Sequence, residues 1–128
     1  HFIARLNRIR KEHPALQRND SIRFHRVDNN YVENDQLIAY SKVSPDGSDI
    51  VLVVVNLDPT NTQAGWVQIP TAEWGLEGSY QAHDLISDQR FLWGGEFNYV
   101  ELNPHVMPVH ILRIRRRLRD ATGFEYFA

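Results

Sequence analysis

Cysteine is absent from this 128-residue chain. That excludes a disulfide framework, a thiolate metal site and a cysteine nucleophile, and it favours a reducing, cytoplasmic setting. Long apolar runs are also missing. None approaches the roughly 20 residues of a membrane span, so no membrane partner is expected. An initiator Met is missing too: the chain begins His1-Phe2-Ile3. Natural translation does not start this way, which predicts a piece excised from a longer protein whose chemistry precedes it. The familiar catalytic signatures are likewise lacking. There is no G-x-S-x-G elbow, phosphate-cradling glycine loop or dinucleotide fingerprint.

What is present suffices for one globular domain. Hydrophobic residues make up 42% of the chain and charged residues 23%, enough to bury a core and too balanced for disorder. Charge is unevenly placed. Of the 14 Lys and Arg residues, 9 lie at the two ends: Arg5, Arg8, Arg10, Lys11, Arg113, Arg115, Arg116, Arg117 and Arg119. The stretch between them is acidic, so the ends read as packing on that body or on a neighbour. No recognition motif makes them a nucleic-acid site.

Along the chain, Phe2, Leu6 and Ile9 fall at helical spacing beside Ile3, which predicts one amphipathic helix stopped by Pro14. Strand signals follow. Ile22 to Arg26 alternates, Asp28 to Asp35 reads as a polar loop, and Leu37 to Val43 reads as a strand. Ser44-Pro45-Asp46-Gly47 is strong turn chemistry. The β-branched run Ile50 to Val55 then predicts a central strand buried on both faces. Trp66–Ile69, Tyr80–Ile86, Arg90–Trp93, Phe97–Leu102 and Val109–Ile114 complete about seven or eight antiparallel strands. The expected fold class is all-β: a Greek-key β-sandwich preceded by one short N-terminal α-helix.

Candidate chemistry is sparse. The six histidines show no i, i+4 or i, i+2 pairing on one element, so no metal site is predicted. Asp84, Asp88, Glu96 and Glu101 lie at turns or on short strands, where solvated acids are ordinary, and no catalytic pair is assigned. Aromatic residues are the more informative set: Trp66, Trp74, Trp93, Tyr80, Phe91, Phe97 and Tyr99. Pyranose rings stack on exposed Trp and Tyr faces. Phe91 and Trp93 alternate on one strand and read as core. Trp74, in a loop between Glu73 and Gly75, is the ring expected to stand most exposed and the candidate sugar contact, with packing over the edge of the sheet as the other reading.

Several phrases together resemble a known arrangement. Leu6-Asn7-Arg8-Ile9-Arg10-Lys11-Glu12-His13-Pro14-Ala15-Leu16 resembles the last barrel helix and following turn of the α-amylase superfamily. Gln36–Lys42 and Val51–Pro59 resemble the first hairpin of its C-terminal β-domain. Thr62–Val67, Tyr80–Leu85, Phe91–Val100 and Pro108–His110 are similar to the branch that extends α-1,4-glucan from maltose 1-phosphate. The resemblance implies that 1–16 is the last helix of a catalytic barrel and 17–128 its C-terminal β-sandwich domain, with Phe2, Ile3, Leu6 and Ile9 meeting the barrel. It further implies a retaining glucan maltosyltransferase as parent, acting without a cofactor through carboxylates that lie outside this chain. The expected partner is that barrel. Two other roles stay open: a carbohydrate-binding module contacting α-glucan, and a dimerisation sandwich giving a homodimer of the parent.

Overall fold

In the computed structural model, which describes residues 8–9, 11–13, 15, 22–119 and 121–128, the turn at Ser44–Gly47 sets the fold's central hairpin. Gly47 adopts φ +76°, a left-handed conformation that a Cβ would strain. Asp46 Oδ1 accepts from the Ser44 and Ser48 hydroxyls, both at 2.7 Å, and from the Ser48 N–H at 3.0 Å. The Ser48 N–H, then the two hydroxyls, hold the Asp46 carboxyl down at about 2, because each bond favours the charged form. The turn joins β4 (Leu37–Val43) to β5 (Ile50–Asn56) in unbroken register from Leu37↔Asn56 to Val43↔Ile50.

Around this hairpin grows a six-stranded antiparallel sheet. Its further strands are β1 (Arg23–His25), β7 (Ser79–Asp84), β8 (Arg90–Gly94) and β10 (Val109–Arg115), in the order β1-β4-β5-β10-β7-β8. A four-stranded sheet combines β2 (Val27–Asn29), β3 (Val32–Glu33), β6 (Gln63–Gln68) and β9 (Phe97–Leu102) in the order β3-β2-β6-β9. A ribbon of β11 (Arg117–Arg119) and β12 (Glu125–Phe127) closes the chain. The described residues therefore form an all-β fold, with antiparallel sheets and no closed barrel.

Both sheets feed one apolar cluster. Leu52, Val54, Ala82, Leu112 and Ile114 come from the larger sheet, and Val27, Val67, Val100 and Leu102 from the smaller. Full burial of each large aliphatic chain contributes roughly 1.5–3 kcal/mol. Sheet period explains the selection: Gly65 and Val67 face inward while Trp66 between them faces out. Gly65 is required by close approach, since a Cβ there would lie 2.7 Å from Val27 Cγ1 and 3.1 Å from Asp28 O.

Two expectations need revision. The segment predicted as a polar loop, Asp28 to Asp35, carries β2 and β3, paired through Asn29↔Val32 about a tight turn. Asn30 and Tyr31 both have positive φ, 52° and 65°, the geometry of a hairpin turn whose second central residue is usually glycine. Tyrosine in that place hides the turn from a residue-type reading. The β11–β12 ribbon is also additional. At the N-terminus, residues 8–9 and 11–12 are helical and the His13 N–H donates to Ile9 O at 3.1 Å. Ile9 is only 5% exposed. Phe2, Ile3 and Leu6 lie outside the described residues.

Candidate functional site

Trp74 was expected to stand exposed in its loop, and the structure corrects this: the residue is only 5% exposed. Its ring meets His25 edge-on, with centroids 5.5 Å apart. Its carbonyl accepts from Arg116 Nε at 3.1 Å and Nη2 at 2.8 Å. The 71–75 turn folds the indole under the sheets instead of outward, and a ring so covered offers no face for stacking. Burial, then the Arg23 charge, pushes the His25 ring down to about 4. Its Nε2 pairs with Ser41 Oγ at 2.6 Å. The Arg116 bonds also show one use of the basic tail: it fastens the 71–75 turn to the end of β10.

A polar cluster sits where β7 ends beside β10. Asp84 is fully buried, and its Oδ2 accepts from Ser87 Oγ at 2.7 Å and pairs with His110 Nδ1 at 3.1 Å. Burial pushes this carboxyl up, but bonds from His110, Ser87 and the Ile86 N–H outweigh it and hold the group below the usual carboxylate range. The composition is that of a serine-histidine-aspartate triad, yet the geometry is not. Ser87 and His110 both address the same carboxylate oxygen, so no base takes the serine proton. His83 forms a second chain. Arg115 Nε donates to its Nδ1 at 3.2 Å, which leaves Nε2 as the N–H facing Asp88 Oδ1 at 2.5 Å. Asp84 and Asp88 are thus each engaged with a histidine rather than paired across a cleft. Beside them opens a cavity of about 620 Å³ lined by Phe91, Trp93, Tyr99, Met107 and His110 among others.

A third feature is the outer face of the four-stranded sheet. Direct register partners share a face, and Asp28↔Trp66↔Tyr99 form one row with Gln68↔Phe97 beside it. Trp66 is 49% exposed, Tyr99 49% and Phe97 48%. The Trp66 and Tyr99 rings meet near edge-on at 5.6 Å. Asp28, Asn30, Tyr31, Trp66 and Phe97 line a cavity of about 430 Å³. Sequence reasoning missed this grouping, although the Gly65-Trp66-Val67 alternation already signalled an outward indole.

Comparison with known proteins decides the family. A family model described as "GLGE, C-terminal" matches residues 24–114. The chain belongs to this GLGE C-terminal family. Curated relatives carry the name α-1,4-glucan:maltose-1-phosphate maltosyltransferase. The Chlorobaculum tepidum protein is 49% identical over 115 residues, covering 88% of this chain and 17% of the relative. The Streptomyces coelicolor protein, numbered 2, is 45% identical over 117 residues, 90% of this chain and 16% of the relative. The Methylacidiphilum infernorum protein is 43% identical over 115 residues, 88% of this chain and 16% of the relative. The chain therefore spans about a sixth of the length of these relatives. The family's matched span includes the aromatic face, the Asp84 cluster and the central hairpin; it leaves out the N-terminal segment and the β11–β12 ribbon. Among the described residues no helix is long and apolar enough to cross a membrane, a statement that leaves strands aside.

Proposed function

We propose that residues 17–128 are the accessory C-terminal domain of a cytoplasmic, retaining α-1,4-glucan maltosyltransferase, and that residues 1–16 end the last helix of its catalytic barrel. In this reading the two sheets close as a Greek-key sandwich, and the domain stabilises the barrel rather than reacting with substrate. Support comes first from the family match combined with the small share of each relative that the chain covers.

The structural observation that carries the reading is the Asp49 junction. Asp49 is buried beside the turn of the central hairpin. Its Oδ1 lies 3.3 Å from His13 Nδ1 and 3.4 Å from Arg113 Nε, and its Oδ2 accepts from the Ala15 N–H at 3.2 Å. Ala15 then packs with Val51 and Val53 on the outer face of the six-stranded sheet. The N-terminal segment is thereby fixed to the central hairpin, and a barrel helix running into it would be anchored there. Asp49→Ala in the natural polypeptide tests this. Thermal inactivation of maltosyl transfer should shift to lower temperature together with unfolding of this domain. Inactivation at the wild-type temperature, with the domain destabilised, would show that the barrel does not lean on it.

A further inference from the structure

We propose that the outer face of the four-stranded sheet is a binding platform for α-1,4-glucan, with Trp66 and Tyr31 as its principal stacking rings. The identity of the occupant rests on the reading above; the built surface does not. Four observations converge on it.

First, the rings are not core. Trp66 and Tyr99 stand half-exposed on facing residues of β6 and β9, with Phe97 two residues along. Successive outward positions on one strand lie about 7 Å apart, so the three rings form an extended apolar strip rather than a point contact. Second, the strip has a wall. Tyr31 is 99% exposed and lines the same cavity as Trp66, Phe97, Asp28 and Asn30.

Third, Tyr31 holds its place against its backbone preference. Its φ of 65° lies in the left-handed region, where glycine is the ordinary turn residue and a bulky side chain is strained. A fully exposed tyrosine gains no burial to offset that strain. Strain retained at the rim of a ring-lined cavity is the pattern of a ligand clamp.

Fourth, the lining chemistry selects the ligand class. Aromatic faces accept the C–H groups of sugar rings, while a carboxylate and a carboxamide, here Asp28 and Asn30, bond hydroxyls. Among the described residues no cation lines the cavity, and Asp28 is balanced by Arg26, whose Nε donates to its Oδ1 at 2.5 Å, so the rim offers an anionic ligand no unpaired positive charge. A neutral polyhydroxylated chain fits, and the curated relatives are named for α-1,4-glucan. The site differs from the one expected at Trp74, whose indole is buried.

The test is affinity electrophoresis of the natural polypeptide through gels containing soluble amylose, with dextran as control. Wild type should be retarded by amylose alone. Tyr31→Gly, which relieves the strained turn and so should fold at least as well, should weaken binding at least about fivefold. Trp66→Ala should weaken it about tenfold, the loss of one principal stacked ring. Wild-type retardation in Tyr31→Gly, or none in the parent, overturns the proposal. A concentration-dependent dimer that Trp66→Ala dissolves would assign the face to a second copy and overturn it equally. If maltosyl transfer to glucan is intact while Tyr31→Gly binds as wild type, only the platform fails. If transfer itself is lacking, the reading of the parent fails instead.

Discussion

The outer faces of the two sheets are built from similarly apolar residues and meet opposite fates. On the six-stranded sheet, Val51 and Val53 are buried, with Tyr40, Val55, Val109 and Ile111 packed about them and Ala15 seated on top. On the four-stranded sheet, Trp66, Phe97 and Tyr99 remain half in solvent. The covered face uses compact β-branched chains and is sealed at its margin by one buried carboxylate. The open face uses broad rings edged by Asp28, Asn30 and Glu101. Apolar area alone does not distinguish a packing face from a recognition face. Side-chain shape and what lies at the border do.

The largest expected effect comes from breaking the seal of the covered face. Asp49→Ala leaves Arg113 beside an empty margin and removes the acceptor for the Ala15 N–H, and should cost about 3 kcal/mol in urea unfolding. Val53→Ala, on the same face, should cost about 2 kcal/mol through lost burial and an unfilled space. Trp66→Ala removes far more volume from the open face and should nevertheless cost less than about 1 kcal/mol, because half of that ring is already in water. If Trp66→Ala proves the more damaging of the two, the contrast between the faces collapses. Gly65→Ala probes the layer beneath: its Cβ meets Val27 at 2.7 Å, and overpacking of this kind costs roughly 1–3 kcal/mol.

A pH effect separates the two sides further. His25 lies at the join between the sheets with its pKa lowered to about 4 by burial and then by Arg23. The unfolded chain binds the proton more tightly, so stability is fully present above about 6.5 and falls as pH drops toward 4. NMR titration of the His25 ring should give a midpoint well below that of a free histidine; a midpoint near 6.5 would remove the effect. The smallest change is a gain. Tyr31→Gly should raise stability by up to about 1 kcal/mol by releasing the left-handed tyrosine, read as a higher midpoint in thermal unfolding.

The central hairpin was fully legible in the residues. Ser44-Pro45-Asp46-Gly47 dictates a turn, Ile50 to Val55 carries too many β-branched chains to face water, and the observed strands begin where these signals place them. The strand Phe97–Leu102 was read at its observed bounds for the same reason, the Gly94-Gly95 turn and clean alternation. The β2–β3 hairpin was not legible, because its turn uses Tyr31 where glycine is the local signal. Trp74 was misplaced because loop residues have no period from which burial can be inferred. Its position depends on His25, 49 residues earlier, and on Arg116, which reaches back from the far end of the chain. The Trp66–Tyr99 row needed the pairing of β6 with β9, a non-local fact that alternation alone does not supply.

The strand orders carry one more consequence. β8 ends the larger sheet and β9 ends the smaller, and the cavity of about 620 Å³ opens beside both. Each last strand turns one row of backbone donors and acceptors away from its sheet, a template on which a second molecule could add a strand. The chain limits that hazard by modest means: β8 runs only five residues, Gly94 and Gly95 bend the chain out of line at its end, and exposed Arg90 and Glu101 put charge along the two margins. During synthesis or heating, these few residues oppose self-assembly through strand addition.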